Sequence, residues 1–367
     1  MGRIPSDSLT QINCDVVVVG GGVAGTVAAR TLSLLGIRVV LLDSSSGVRQ
    51  KVGESLPAAA RPMLHKLGLL NYFNDQIFLT NYGNLSCWGS KELRETDFIR
   101  DPYGCGYHLD RRLFEQALLY AAEDLGTVLI KEHVSSFIEM NDGIKVQAGK
   151  LNISAKWMIN ASGNSQFIAK KLSVSRQKDP LLFALYTWFD SDILDTRSVI
   201  EAVSSGWWYT AGLPNGKRIL VFFTLPNQAK AILREENAFS LALKETMYIH
   251  QYCPLESVTR NQLEMIEATG GYSEKVFGHN WIAVGDAALS FDPISSQGIY
   301  NAIYTGLRGA EAIKAVLTDN DHKLLTKYGL RIKSIRDAYS NEVSRYYQQE
   351  TRWRNKEFWQ VQQVARI

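Results

Sequence analysis

Three glycines near the start of the chain carry the first chemistry. Gly20, Gly22 and Gly25 follow the spacing G-x-G-x-x-G, and an acid, Asp43, stands eighteen residues past the last of them. In that pattern the first glycine permits a tight turn. The second lets the backbone approach a pyrophosphate, and the third lets a helix pack closely on a strand. Val23 and Ala24 open the helix, whose free N–H groups and partial positive charge suit phosphate. Asp43, followed by Ser44, is placed to accept hydrogen bonds from ribose hydroxyls, so the pattern points to a dinucleotide. A second group lies far downstream, in the stretch GDAALSFDPISSQGI from Gly285 to Ile299. It sets Asp286 at the end of an apolar run. It then places Pro293, Gln297, Gly298 and Ile299 at the head of a stretch that reads as a helix.

The elements that must hold these groups are legible around them. Residues 15–19 (DVVVV) form a continuous β-branched run, as in a parallel strand buried on both faces. Residues 26–35 read as a helix stopped by Gly36, and 38–42 (RVVLL) as a second strand. The glycines therefore sit inside a βαβ unit. Beyond it, 58–70 and 110–125 read as amphipathic helices and 77–99 as short strands. A strand and a meander cover 128–159, with Asn141-Asp142-Gly143 as a hairpin turn. Residues 181–221 are strand-like and aromatic. Helices are expected over 227–252 and 298–317, and mostly helix from 321 onward. The expected class is α/β. A Rossmann-type dinucleotide-binding domain comprises 12–75, 105–178 and 270–318. An inserted antiparallel sheet domain comprises 76–104 and 179–269, and a helical C-terminal segment covers 319–367.

Composition narrows the function classes. Apolar residues make up 46% and charged residues 21%, as in a soluble globular enzyme. The net charge of +3 is too small to point to nucleic acid. No stretch approaches roughly eighteen unbroken apolar residues, so no membrane span is expected. The first residues, MGRIPSDSLTQINCD, lack the apolar core of a secretory signal. Cys14, Cys87, Cys105 and Cys253 lie far apart with no metal-ligand spacing. They read as reduced thiols and the location as cytoplasmic.

The chain leaves after the first βαβ unit and returns only with Gly285-Asp286. That organisation resembles the flavoprotein monooxygenases of the para-hydroxybenzoate hydroxylase type. The resemblance rests on the glycine loop, Asp110-Arg111, Asn160-Ala-Ser-Gly163 and the 285–299 stretch, and it spans most of residues 15–317. It implies FAD. In that family a Gly-Asp like Gly285-Asp286 binds the ribityl chain, and a proline like Pro293 lies beside the isoalloxazine ring. An arginine like Arg111 lies near the FAD ribose and phosphates, and a turn like that at Gly163 lies over the cofactor. The helix opened by Gly298 points its N-terminus at the flavin pyrimidine edge, a fitting partner for the charge of a reduced ring. No second G-x-G-x-x-G follows, so NADH or NADPH is expected to act from solution.

Residues 52–57 (VGESLP) and 292–299 (DPISSQGI) also resemble stretches of the flavin-dependent halogenases. Two functional residues of those enzymes are missing. Residues 79–87 (LTNYGNLSC), before Trp88, hold no lysine, and Ser295 occupies the position of the glutamate. Without an ammonium to hold the oxidant and a carboxylate to orient it, halogenation is disfavoured. GESLP, residues 206–214 (GWWYTAGLP) and SSQGI are more similar to a particular subgroup. Its members accompany lysine-oxidase-like and glycine-oxidase-like proteins that contain cysteine tryptophylquinone. That resemblance implies a monooxygenase that hydroxylates a tryptophan of a partner quinoprotein precursor. Oxygen would come from a flavin C4a-hydroperoxide in a site that excludes water. Two alternatives stay open: a small-molecule aromatic or indole hydroxylase or halogenase, and a non-catalytic FAD-bound assembly factor. Glu54, His108 and Ser295 are the candidates for acid–base work, and Glu54 with Ser55 is also a candidate for the flavin edge. Trp207, Trp208 and Tyr209 are candidates for lining the substrate cavity. The basic, aromatic segment 323–367 is a candidate docking surface for the partner.

Overall fold

The computed structural model describes residues 10–45, 50–165, 167–253 and 262–364. The N-terminal stretch read above against a secretory signal falls mostly outside them, as does part of the polar loop before Gly53. The valine run Val16–Val19 is completely buried, as its β-branched composition requires. It is the middle strand of a five-stranded sheet ordered Trp281–Ala283, Trp157–Asn160, Val16–Val19, Val39–Leu42, Val128–Ile130. Every pairing in this sheet is parallel. One face is covered by the helices Val23–Leu34 and Gly298–Asp319. The strands Val134–Met140, Gly143–Ala148 and Leu151–Ala155, joined by Thr10–Asn13, form a separate four-stranded sheet. Its Val146, Ala148 and Ile153 share one apolar core with the parallel strands.

A second large sheet has seven strands. Their order is Glu264–Glu267, Phe183–Asp190, Lys217–Thr224, Gly206–Gly212, Ser198–Val203, Gly83–Cys87, Arg94–Asp97. All pairs are antiparallel except Ser198–Val203 with Gly83–Cys87. Period-2 alternation divides its side chains. Ala184, Trp207, Val221 and Phe223 belong to one face, and Leu185, Trp208, Leu220 and Phe222 to the other. The architecture is thus α/β, with a Rossmann-like sheet, a mostly antiparallel sheet and a helical C-terminus.

Three expected helices differ in detail. The segment expected as one helix over 58–70 is a 3₁₀ turn, Ala58–Ala60, followed by the short helix Arg61–Lys66. Gly68, at a φ of 63°, halts it. The helix expected over 227–252 is split into Pro226–Arg234, Ala238–Lys244 and a 3₁₀ turn, Ile249–Tyr252. Glu235 is extended at the first break, where two adjacent carboxylates and Asn237 favour a turn. The C-terminal segment forms the helices Lys323–Gln348 and Glu357–Val364. No helix among the described residues is long and apolar enough to cross a membrane.

The C-terminal aromatics are not a free docking surface. Tyr347, Phe358 and Trp359 are fully buried and pack with Trp88 and Trp207 against the seven-stranded sheet. Trp88 meets Tyr346 at 4.7 Å and Trp359 at 5.3 Å between ring centroids. The buried Glu350 accepts the Gly89 N–H at 2.8 Å and pairs with Arg352 at 2.6 Å, which fixes the end of the long helix to this sheet. Apolar area on such rings is worth more buried than displayed, which overrides the surface reading suggested by the charge of the segment.

Candidate active site

The carboxyl ends of parallel strands are where open α/β sheets hold ligands. Here a cavity of about 370 Å³ lies there, between the parallel sheet and the seven-stranded sheet. On the parallel-sheet side it begins at the glycine loop. Gly20 has a φ of 112°, and a Cβ on it would lie 2.3 Å from the Ala161 carbonyl oxygen. A Cβ on Gly25 would lie 1.9 Å from the Gly20 oxygen. Both positions exclude any side chain. Gly22 differs: a Cβ there would meet nothing within 4 Å. It is the N-cap of Val23–Leu34 and makes no side-chain capping bond. The free N–H groups of that helix therefore stand at the cavity, with Gly22, Val23 and Ala24 in its lining.

The downstream group closes the same wall. The 3₁₀ turn Gly285–Ala287 follows the strand Trp281–Ala283. Gly285, at a φ of 59°, donates its N–H to Thr305 Oγ1 at 2.7 Å. Asp286 lines the cavity, and its carboxylate makes no hydrogen bond or ion pair to a described residue. Burial pushes its pKa up, opposed by the charges of Arg176 and Arg111. Pro293, Ser296, Gln297, Gly298 and Ile299 complete this wall. Asp292 folds the turn by accepting the Ile294 N–H at 3.0 Å and the Tyr347 hydroxyl at 3.1 Å.

A charged cluster stands at the cavity rim. Asp110 caps the helix Arg111–Glu123 by accepting the Leu113 N–H at 2.9 Å. Arg111 donates to the Gly53 carbonyl at 2.6 Å and the Val52 carbonyl at 3.2 Å, and it pairs with Glu115. Lys51 also pairs with Glu115. Those two cations hold the Glu115 carboxyl below its ordinary range, against the opposing effect of burial. The loop that carries Glu54 is thereby tied to the helix that carries Arg111.

Glu54 ties its loop to the seven-stranded sheet. Its Oε1 accepts the Tyr209 hydroxyl at 2.5 Å, and Oε2 accepts the Gly53 N–H at 3.1 Å. Burial raises the Glu54 pKa, while the Tyr209 hydrogen bond and the Arg111 charge pull it back. Burial, then the Glu54 carboxylate, raises Tyr209 well above its ordinary value. The rest of the seven-stranded-sheet wall is apolar: Ala184, Ile200, Trp207, Val221 and Phe223. Trp207 stacks on Phe223 at 3.9 Å and donates its indole N–H to the Tyr347 hydroxyl at 3.2 Å.

Several candidates from sequence are elsewhere. Trp208 points to the opposite face of its strand, where it stacks on Phe222 at 4.5 Å. Neighbouring strand residues cannot line one face, so only Trp207 and Tyr209 of that trio reach the cavity. His108 is fully buried and is not in the cavity lining. Burial and the Arg218 charge lower its pKa to about 4, so it is neutral. The Gly212 backbone interacts with it without hydrogen-bond geometry, and neither ring nitrogen has such a bond. It is not placed to exchange protons with a ligand. Ser295 spends its hydroxyl inside the turn, donating to the Asp292 carbonyl at 2.9 Å, and also lies outside the lining. Asp43 accepts the Ser45 N–H at 3.3 Å beside Gly21, and Ser44 is exposed; neither lines the cavity. Ser55, Arg111 and Gly163 do line it. Sequence reading missed Lys51, Phe223 and the segment 266–269, which also line it. Alternation in the sequence showed that one face of each strand is apolar, but only strand pairing shows which face meets the cavity.

The residues present fit FAD. Gly22, Gly163 and Gly298 all leave open space where a Cβ would stand, so backbone can approach a ligand at three points. A helix N-terminus faces the same space for phosphates, and Asp286 supplies for a polyol a carboxylate with no hydrogen-bond partner among the described residues. Arg111 keeps one buried guanidinium nitrogen, Nε, without a partner.

Comparison with known proteins agrees with this chemistry. The sequence profile of the tryptophan halogenase family matches residues 90–367. The chain belongs to the tryptophan halogenase family. Members of that family are FAD-dependent oxidoreductases, and so is this chain. A second profile, the C-terminal domain of alanine dehydrogenase/PNT, matches residues 8–130, around the glycine loop. The chain is 30% identical over 359 residues to the putative FAD-dependent oxidoreductase LodB of Marinomonas mediterranea. That match covers 94% of this chain and 96% of LodB. Among solved structures, the flavin-dependent halogenase CmlS superposes with a TM-score of 0.85 at 22% identity, over 95% of this chain and 67% of that one. The peptidyl tryptophan dihydroxylase QhpG superposes with a TM-score of 0.77 at 20% identity, over 96% and 79%. These superpositions establish a shared fold. Within the tryptophan halogenase family, the differences that matter are those facing the cavity.

Proposed function

We propose that this chain is an FAD- and NAD(P)H-dependent monooxygenase that hydroxylates a tryptophan side chain of a partner polypeptide, a quinoprotein precursor. When bound, FAD supplies the reduction of dioxygen and the transfer of one oxygen atom. Overall, one oxygen atom enters the aromatic carbon and the other leaves as water, while the nicotinamide donates the hydride. The chain's own residues orient and dry the site. The Trp207–Phe223 stack offers a flat apolar wall for an indole, and the Trp88–Trp359–Tyr347 packing seals that wall from behind. The buried Glu54 carboxyl, with its pKa raised, is the group placed to hold a proton released at the ring, with Tyr209 fixing its orientation.

One observation favours oxygen over halogen transfer. The cations in the cavity lining, Lys51 and Arg111, stand together at the rim on Glu115, and the Trp207–Phe223 wall where an indole would lie carries no lysine or arginine to hold a hypohalite. The full-length similarity to LodB supports an FAD-dependent oxidoreductase, and the shared fold with a peptidyl tryptophan dihydroxylase supports a polypeptide substrate. A second reading is halogenation or hydroxylation of a small aromatic molecule. Membership of the tryptophan halogenase family and the similarity to a tryptophan 2-halogenase of Chondromyces crocatus favour it. Co-expression with a quinoprotein-like precursor, followed by its intact mass, tests the two. Added oxygen on a tryptophan, lost in the Gly25→Ala variant, supports the proposal. An unchanged precursor, with NAD(P)H oxidation triggered by a free indole or a halogenated product in bromide, supports the second reading.

A further inference from the structure

The seven-stranded sheet has an open edge beside the cavity. Among the described residues its outermost strand, Glu264–Glu267, pairs only with Phe183–Asp190, and all four of its residues are exposed. The Ala268 N–H donates to the Leu182 carbonyl at 2.8 Å, and the register continues Ala184 with Ile266 and Tyr186 with Glu264. Antiparallel ladders alternate between bonded and non-bonded pairs. Ile266 and Glu264 therefore turn their backbone groups inward. Met265 and Glu267 turn theirs outward, where no described residue is bonded to them. Edge strands are usually covered, kinked or strongly charged to prevent pairing with another chain. Here Glu267 is matched by Lys178 at 2.8 Å, and Glu264 accepts the Tyr186 hydroxyl at 2.9 Å. Between them Met265 and Ile266 are 37% and 45% exposed.

The edge is also continuous with the cavity. Ile266, Glu267, Ala268 and Thr269 line it, next to Ala184. We propose that this edge binds an extended polypeptide segment as an eighth strand, and that a tryptophan of that segment turns into the cavity. The inference rests on the polypeptide substrate proposed above and names how that substrate is held. An added strand lies about 4.8 Å outside Glu264–Glu267, with alternate side chains on the face of Ile266 and Ala184. An indole on that face leans over Ile266 toward Ala184, whose small side chain leaves the way open to Val221 and Phe223. The Glu264 carboxylate, which no described cation matches, favours a basic residue on the tryptophan's face of the added strand.

Met265→Pro tests the edge, because it removes an outward donor and leaves the inward pairs intact; proline is tolerated on sheet edges. The probe is a fluorescein-labelled, capped peptide of sequence Thr-Lys-Val-Trp-Val-Lys-Thr, whose lysines share the tryptophan's face, titrated against the FAD-loaded protein and followed by anisotropy. The wild type and Met265→Val bind it, and Met265→Pro binds about tenfold more weakly with FAD affinity unchanged. Glu267→Pro removes the next outward donor and gives a second measurement if Met265→Pro does not fold. Equal binding by the wild type and the proline variants overturns the edge proposal. So does a wild type that oxidises tryptophan in a protein partner without binding the peptide. Edge-dependent binding with no oxidation of tryptophan in any polypeptide upholds the edge and overturns the proposed reaction instead.

Discussion

Gly22 and Gly25 lie three residues apart, and the structure gives alanine at each an opposite consequence. At Gly22 the backbone is in an ordinary extended conformation, φ −72° and ψ −176°, and a Cβ meets nothing within 4 Å. Gly22→Ala therefore costs the fold nothing. By narrowing the unfolded ensemble it stabilises the apoprotein by about 0.4–1 kcal/mol. An unfolding entropy of about 2.1 cal/mol/K per residue makes 1 kcal/mol worth roughly 1.3 °C in a chain of this length. The apoprotein melting point then stays level or rises by about 1 °C. The new methyl, however, stands in the space that phosphate needs. Losing one backbone N–H bond to a charged oxygen costs about 1.5–3 kcal/mol, or roughly ten- to a hundredfold in FAD affinity. At Gly25 a Cβ would stand 1.9 Å from the Gly20 oxygen and 2.9 Å from Ala161 Cβ. Helix and strand must move apart, at about 3 kcal/mol or more, which lowers the melting point by about 4 °C even without FAD. Melting of the apoproteins and FAD titration by flavin fluorescence measure both effects. If Gly22→Ala binds FAD as tightly as the wild type, the phosphates do not lie at this helix terminus. If Gly25→Ala melts with the wild type, the helix–strand contact is not what requires that glycine.

Three further outcomes follow from buried groups. Glu54 has a raised pKa, so the folded protein binds more protons than the unfolded one above the ordinary carboxylate range, and the stability from this group falls as pH rises through the raised value. Tyr209→Phe raises that pKa further; its penalty should be small where Glu54 is protonated and grow to roughly 1.5–3 kcal/mol as pH rises through the raised value, read from melting curves across that titration. Asp286→Asn removes a carboxylate whose pKa burial also raises, so the same sign applies. The apo variant should show a flatter decline of melting point with rising pH, and a titration should show about tenfold weaker FAD binding. Trp359→Ala empties a fully buried site and frees the Val203 carbonyl that its indole N–H bonds at 2.9 Å. It should cost about 3–5 kcal/mol by melting while FAD affinity stays level, because Trp359 packs on the seven-stranded sheet rather than in the cavity lining.

The cofactor half of the site was readable in sequence because its constraints are local. A valine run, three glycines and a helix start lie within twenty residues of chain, and each needs only its neighbours to make sense. Asp286 and the Gly298 helix start were readable for the same reason. The substrate half was not, because its constraints are long-range. Trp207 and Trp208 are adjacent and chemically alike; only the pairing of Trp207 with Phe223 on one face and of Trp208 with Phe222 on the other tells them apart. His108 looked functional beside Asp110-Arg111, yet its strand turns it toward Arg218 and away from the cavity. Lys51 has no motif of its own; its partner Glu115 lies 64 residues away.

A fold shared with halogenases leaves the reaction to be decided by a few side chains, and here the placing of charge around the cavity is the strongest of them. Lys51 and Arg111 stand at the rim on Glu115, and the apolar wall of Ala184, Ile200, Trp207, Val221 and Phe223 holds no cation. An oxidant that must be captured by an ammonium gains nothing there. An oxygen atom delivered directly to a ring against Trp207 and Phe223 requires only dryness and a place for the proton. Glu54 is buried, has a raised pKa and is held by Tyr209 from the opposite sheet. Its bond across the cavity therefore couples the cofactor loop to the substrate wall. Replacing Glu54 with Gln should lower the rate of the tryptophan oxidation proposed above and remove its dependence on the Glu54 titration; the amide oxygen still accepts the Tyr209 hydroxyl, while the Gly53 N–H loses its acceptor. A rate that keeps the wild-type pH profile in that variant, measured as oxygen incorporated per NAD(P)H consumed, would show that the proton leaves by water and not through Glu54.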